Sequence, residues 1–169
     1  AARDLSTSED TYLKVVRGKT AALFSAATEV GGVIAGADEA VIKALYAYGD
    51  ALGVAFQMVD DLLDYAGTDA TGKNIGDDFR EKKLTLPLIK AIAKADAQER
   101  AFWDRTIAKG RQEDGDLATA IEILGRHGAL ESVRDEANAW ADRAKAALDS
   151  LPEHPLRSML WDIADYVVS

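Results

Sequence analysis

Three carboxylates lie close together in Phe56-Gln57-Met58-Val59-Asp60-Asp61-Leu62-Leu63-Asp64-Tyr65, with no lysine or arginine beside them. On a helix, with about 100° between neighbours, Gln57, Asp60, Asp61 and Asp64 share an arc of roughly 100°. Val41, Leu45, Tyr48, Leu52, Ala55, Val59, Leu62 and Ala66 follow a heptad-like spacing on the opposite side. Phe56, Met58 and Leu63 flank the acids. A helix that is apolar almost all round is a buried helix, so its acidic seam is expected to face an internal cavity. Desolvation and mutual repulsion both oppose three such charges unless cations join them. Oxygen donors alone favour a hard ion such as magnesium, which keeps waters and shares its shell with phosphate oxygens. A solvated acidic helix face is the simpler alternative, and the apolar flanks weigh against it.

Cations are ordered around these acids. Lys19 opens the apolar stretch Thr20-Ala21-Ala22-Leu23-Phe24 in mid-helix, where its ammonium either enters a polar cavity or snorkels to the surface. Lys73 sits in the loop after the acidic helix, placed either to close over a bound anion or simply to be solvated. Arg80, Lys82 and Lys83 follow one turn onward. Gly72-Lys73 is not a P-loop, because the glycine spacing is wrong and no strand precedes it.

The elements that must position these groups are all helical. The sequence has 169 residues, 48% of them hydrophobic, and only three prolines, at Pro87, Pro152 and Pro155. That length fits one domain with a substantial core. A helix is expected from Thr7 or Ser8 to about Gly36, carrying Tyr12, Val15, Val16, Leu23, Ala27, Val30 and Ile34 on its apolar positions. Gly32 and Gly36 form a GxxxG there, which in such a helix means close packing. Asp38 caps the acidic helix, from about Glu39 to Ala66, and Gly67 to Gly76 forms a loop. Asp77 to Lys83 reads as a short charged helix or turn. Thr85 is the expected cap of a helix with Pro87 in its first turn. Further helices are expected over 88–95, 98–107, 117–126 and 129–148, with a last one after Pro155.

A net charge of −9 argues against nucleic acid as the main partner. The absence of cysteine removes disulfides, zinc-thiolate sites and thiol nucleophiles. His127 and His154 offer no metal spacing. No signal peptide or membrane span is visible, so a soluble cytoplasmic protein is expected.

Several ordered motifs together carry a resemblance: Lys19-Thr20; Gly53-Val54-Ala55-Phe56-Gln57-Met58-Val59-Asp60-Asp61-Leu62-Leu63-Asp64; Gly72-Lys73; Ile75-Gly76-Asp77-Asp78; and Lys83-Leu84-Thr85-Leu86-Pro87-Leu88. In this order the sequence resembles the trans-type isoprenyl diphosphate synthases, and most of all their long-chain polyprenyl branch (octaprenyl, decaprenyl, solanesyl). The resemblance implies an all-α helical bundle, with residues 1–169 as the C-terminal part of a single synthase domain. It implies that Asp60, Asp61 and Asp64 form the second aspartate-rich motif and hold Mg2+, with Asp60 the principal ligand. Lys19 and Lys73 would contact the allylic diphosphate, and Lys83 would join them. Thr20 and Gln57 would lie beside the developing allylic cation, and Asp78 fits a following motif position. The usual glycine before Lys83 is replaced by Lys82.

The implied reaction condenses an allylic diphosphate with isopentenyl diphosphate through a carbocation. The family's first aspartate-rich motif, and the basic residues that hold isopentenyl diphosphate, are not among these 169 residues. The reading is therefore half of a synthase, completed by an N-terminal segment or by a partner chain and inactive alone. A homodimer is implied by the resemblance. A terpene cyclase or nucleotide pyrophosphatase is a rival all-α reading, but the first would lack the Lys73 loop pattern and the second needs a glutamate-rich helix pair. A non-catalytic helical subunit of a heteromeric synthase is the rival from outside enzymology.

Overall fold

In a computed structural model, residues 3–67 and 74–169 are described, and among them every regular element is helical. The helices are α1 (Glu9–Gly18), α2 (Thr20–Ile34), α3 (Glu39–Ala66), α4 (Asp77–Arg80), α5 (Leu86–Ala93), α6 (Ala97–Trp103), α7 (Asp116–Arg126), α8 (Ala129–Ala147) and α9 (Pro155–Val168). They divide into two compact units, one of Ala1–Tyr12 and Asp60–Val133, the other of Leu13–Val59 and Arg134–Ser169. No helix among the described residues is long and apolar enough to cross a membrane.

Side-chain caps place the starts of α1 and α3 where the sequence does. Ser8 Oγ accepts from the Thr11 N–H at the start of α1, and Asp38 Oδ1 accepts from the Val41 N–H at the start of α3. Three expectations need correction. The first helix is not continuous to Gly36: it breaks at Lys19, whose φ of −116° and ψ of −83° are not helical. The Lys19 N–H is shared between the carbonyls of Val15 and Val16, so the break tightens the turn after Gly18 without orphaning that donor. Thr85 does stand before α5 in an extended conformation, but its hydroxyl makes no capping bond; the oxygen is buried without a hydrogen-bond partner. Residues Asp104–Ala108, all but the last expected to be α-helical, form a π-helical segment after α6.

In the second unit α2 and α3 pack as an antiparallel pair at close range. A Cβ at Gly53 would lie 2.6 Å from Ala21 Cα, and one at Gly49 would lie 2.4 Å from Thr28 Oγ1. Thr28 uses that hydroxyl to donate to the Leu45 carbonyl at 2.6 Å. Gly32 meets Ile42 and Leu45 in the same seam, as its small-residue spacing suggests. On α8, Ala137, Ala141 and Ala144 are buried, as is Leu148 just after it. The Tyr48 hydroxyl donates to the Leu160 carbonyl of α9 at 2.7 Å, and burial pushes its pKa up to about 12.

The core of the first unit gathers Tyr65, Phe79, Leu88, Trp103, Ile107 and Leu124, from α3 through α7. Gly53→Ala tests the close seam. Better helix propensity contributes about 1 kcal/mol in favour, but the collision with the α2 backbone dominates. The variant is expected to lose a net 1–3 kcal/mol, roughly the cost of overpacking, measured by urea denaturation.

Candidate metal and diphosphate site

The acidic seam of α3 is not uniform. Asp61 and Asp64 are 4% and 6% exposed, whereas Asp60 is half-buried. Phe56 and Leu63 are 44% and 36% exposed, so the helix is less enclosed than its apolar flanks predict. Each buried acid has a donor. The Tyr12 hydroxyl of α1 donates to Asp61 Oδ2 at 2.5 Å. The Asp78 N–H, in the first turn of α4, donates to Asp64 Oδ2 at 3.1 Å. Tyr65, buried next in sequence, has its pKa raised by burial first and then by the charges of Asp64, Asp78 and Asp61. The Asp78–Asp64 hydrogen bond makes Asp78 part of the same electronegative patch.

The chain returns to this patch through Gly76. Its N–H donates to the Asp64 carbonyl at 2.7 Å, its φ is +86°, and a Cβ would lie 2.5 Å from Leu117. Both the left-handed backbone and the space exclude a side chain there. Helix α4 then closes with a Schellman pair: the Lys82 N–H donates to the Phe79 carbonyl and the Lys83 N–H to the Asp78 carbonyl. Lys82 occupies the left-handed position of that cap, at φ +58°. Lys82 therefore adopts a backbone conformation that favours glycine. Lys83 emerges from the cap with Nζ 2.6 Å from Glu81 Oε2 and 3.8 Å from Asp78 Oδ1. Its pKa is raised chiefly by the Glu81 contact, with Asp78 and Asp64 adding to it.

In the second unit, Thr20 Oγ1 donates to Gln57 Oε1 at 3.0 Å, so the expected polar pair is in contact. Lys19 is exposed at the α1–α2 break. Lys73 lies outside the described residues. The donor set of Asp60, Asp61, Asp64 and Asp78 is all oxygen and suits a hard cation. Among the described residues no three acids or imidazoles stand close enough to hold a metal alone. An ion there fits only if other oxygens, such as those of a diphosphate and water, complete its shell, which is the habit of magnesium. Two hollows, of about 600 Å³ beside His154 and Trp161 and about 290 Å³ beside Arg3 and Lys82, are not lined by these carboxylates.

A sequence profile described as Polyprenyl synthetase matches residues 1–124. The chain belongs to the polyprenyl synthetase family. It is 39% identical over 166 residues to the octaprenyl diphosphate synthase of Escherichia coli, covering 98% of this chain and 51% of that protein. The crystal structure of a decaprenyl diphosphate synthase from Rhodobacter capsulatus superposes with a TM-score of 0.93 at 64% identity, over 99% of this chain and 52% of that one. A polyprenyl synthase from Caulobacter crescentus, crystallised with calcium and isoprenyl diphosphate, gives 0.94 at 47% identity, over 99% and 52% respectively. The polyprenyl synthetase chain thus spans about half the length of the relatives it matches. The all-α expectation and the family resemblance are both borne out.

Three features are not legible in the sequence. Tyr12 counted only as an apolar position, although a buried tyrosine needs a partner for its hydroxyl. Gly49-Asp50-Ala51-Leu52-Gly53 is a GxxxG of the same kind as the one noted at Gly32. Gln112 had no visible signal: its Nε2 donates to the Phe79 carbonyl at 2.6 Å and to the Thr106 carbonyl at 3.1 Å, tying α4 to the π-helical segment. The loop bearing Gln112 is anchored by Arg105, whose two terminal nitrogens each meet an Asp116 oxygen at 2.9 Å. That hydrogen bonding holds the Asp116 carboxyl below the usual carboxylate range, against the opposing effect of burial. Because the folded pKa lies below an unfolded value of about 3.9, the stabilisation is fully present above that pH and is lost as pH falls through the folded value. Asp116→Asn is therefore expected to lower the urea midpoint at pH 7, with the gap from the parent protein narrowing as the pH falls below about 4.

Proposed function

We propose that this chain is the part of a trans-polyprenyl diphosphate synthase that grips the allylic diphosphate and steadies the cation left when the diphosphate departs. The observation that carries the reading is the pair of buried carboxylates, Asp61 and Asp64, on the helix that also bears Asp60 and Gln57. Hydrogen bonds from Tyr12 and from the Asp78 N–H offset part of the cost of burying these charges, a cation would offset more of it, and the family works on diphosphates that need one. Mg2+ bound by Asp60, with Asp61 and Asp64 in support, would supply Lewis-acid stabilisation of the leaving diphosphate.

The chain's own groups do the rest. Lys19, Lys73 and Lys83 provide positive charge for the diphosphate oxygens as the bond from the allylic carbon to oxygen breaks and its electron pair leaves with the diphosphate. The Thr20 hydroxyl and the Gln57 amide carbonyl offer dipoles to the allylic cation without the nucleophilicity that would trap it. The double bond of isopentenyl diphosphate then attacks that carbon, and a proton is lost to restore the alkene. Residues for the isopentenyl diphosphate subsite and the first aspartate-rich motif must come from a preceding segment or a partner chain. A cytoplasmic homodimer is the assembly we infer.

Calorimetric titration with an uncleavable allylic thiodiphosphate tests this. Binding is expected with Mg2+ present and is expected to vanish with EDTA or in Asp60→Asn. Binding that ignores the metal would contradict the reading and favour a non-catalytic subunit with a vestigial acidic stripe. The 169-residue chain supplied alone with both diphosphates should show no prenyl transfer in a radiolabelled product assay. Turnover by the pure chain would refute the half-site account.

A further inference from the structure

Asp61, one of the three motif carboxylates, is held by a side chain from another helix. Tyr12 is 7% exposed and stands 49 residues before Asp61 in sequence, yet its hydroxyl reaches Oδ2 at 2.5 Å. That distance is at the short end for an O–H bond to a carboxylate, where the acceptor's charge strengthens the contact. The start of α1 is fixed near this point by a second tie, the 2.8 Å pair of Lys90 Nζ with Glu9 Oε1. The Ser8 cap leaves the helix beginning one turn before Tyr12. The tyrosine is therefore a braced donor and not a swinging one.

We propose that Tyr12 is a positioning residue of the metal site: its hydroxyl fixes the rotamer of Asp61 so that the motif's carboxylates meet an incoming metal–diphosphate in one preset geometry. This rests on the metal reading above. A buried carboxylate able to turn about χ1 and χ2 would have to be ordered when the ion arrives, and the Tyr12 bond removes that cost in advance. The same bond keeps the Asp61 charge satisfied in the absence of metal, so the site does not need the ion in order to fold.

The test is Mn2+ binding, followed by electron paramagnetic resonance with inorganic diphosphate present, in the parent protein and in Tyr12→Phe. Phenylalanine keeps the ring and loses only the hydroxyl, and circular dichroism checks that the helices remain. Tyr12→Phe is expected to weaken Mn2+ binding by about tenfold, the lower end for an outer-shell partner, and to broaden the spectrum of the bound ion. Ile92→Val, which loosens the same unit without touching a carboxylate, should lower the melting temperature and leave Mn2+ binding unchanged. Equal affinity in Tyr12→Phe would make the bond purely structural and overturn the proposal. Tighter binding would also overturn it, because Tyr12 would then be competing with the metal for Asp61. Failure of the parent protein to bind Mn2+ with diphosphate would instead overturn the metal reading beneath it.

Discussion

Two carboxylates almost out of water on one helix constrain everything around them. Each costs several kcal/mol to desolvate unless hydrogen bonds or charges compensate. The chain meets that demand from both sides. The residues before α3 supply a phenol, Tyr12, and the residues after it supply a backbone N–H at Asp78 and another, from Gly76, to the Asp64 carbonyl. The point at which the chain enters α4 follows from this. Gly76 must be left-handed and bare to bring Asp78 within reach, and the Schellman cap then turns Lys83 outward beside the patch. A network that begins with a solvation penalty ends by deciding where a lysine stands.

The other unit answers a different problem, close helix approach. Gly49 and Gly53 remove the side chains that would keep α2 away from α3. At that distance Thr28 can reach the Leu45 carbonyl and Thr20 can reach Gln57. The Thr20–Gln57 contact is thus a product of small residues one and two turns away on α3. Nonpolar packing sets the spacing, and the polar pair uses it.

Much of this was legible from the sequence alone. The bounds of α3 follow from Asp38 as cap and from the heptad-like series up to Ala66, because local capping and hydrophobic period agree there. The aspartate motif and its neighbours were enough to name the family, and the Thr20–Gln57 pairing followed from it. What escaped was non-local. Nothing near Gly18-Lys19-Thr20 announces a break, since one glycine within a helical pattern is tolerated. The π-helical segment at 104–108 keeps apolar residues at positions that an α-helix would also use. Thr85 has the residue type of a cap, and burial left its hydroxyl without a bond. The division of labour among the acids was invisible for the same reason: the sequence holds three aspartates, while Tyr12 and Asp78 distinguish them only once the chain is folded.

The central claim is that the α3 carboxylates, and not some other acidic stretch of a chain with 29 acidic residues, receive the metal that accompanies a diphosphate. The most direct measurement is an anomalous difference map from crystals grown with Mn2+ and an allylic thiodiphosphate. The account predicts a manganese peak in direct coordination with Asp60, diphosphate oxygens completing its shell, and the Tyr12–Asp61 bond intact. A peak on another group of acids, or diphosphate bound with no metal at α3, would contradict it.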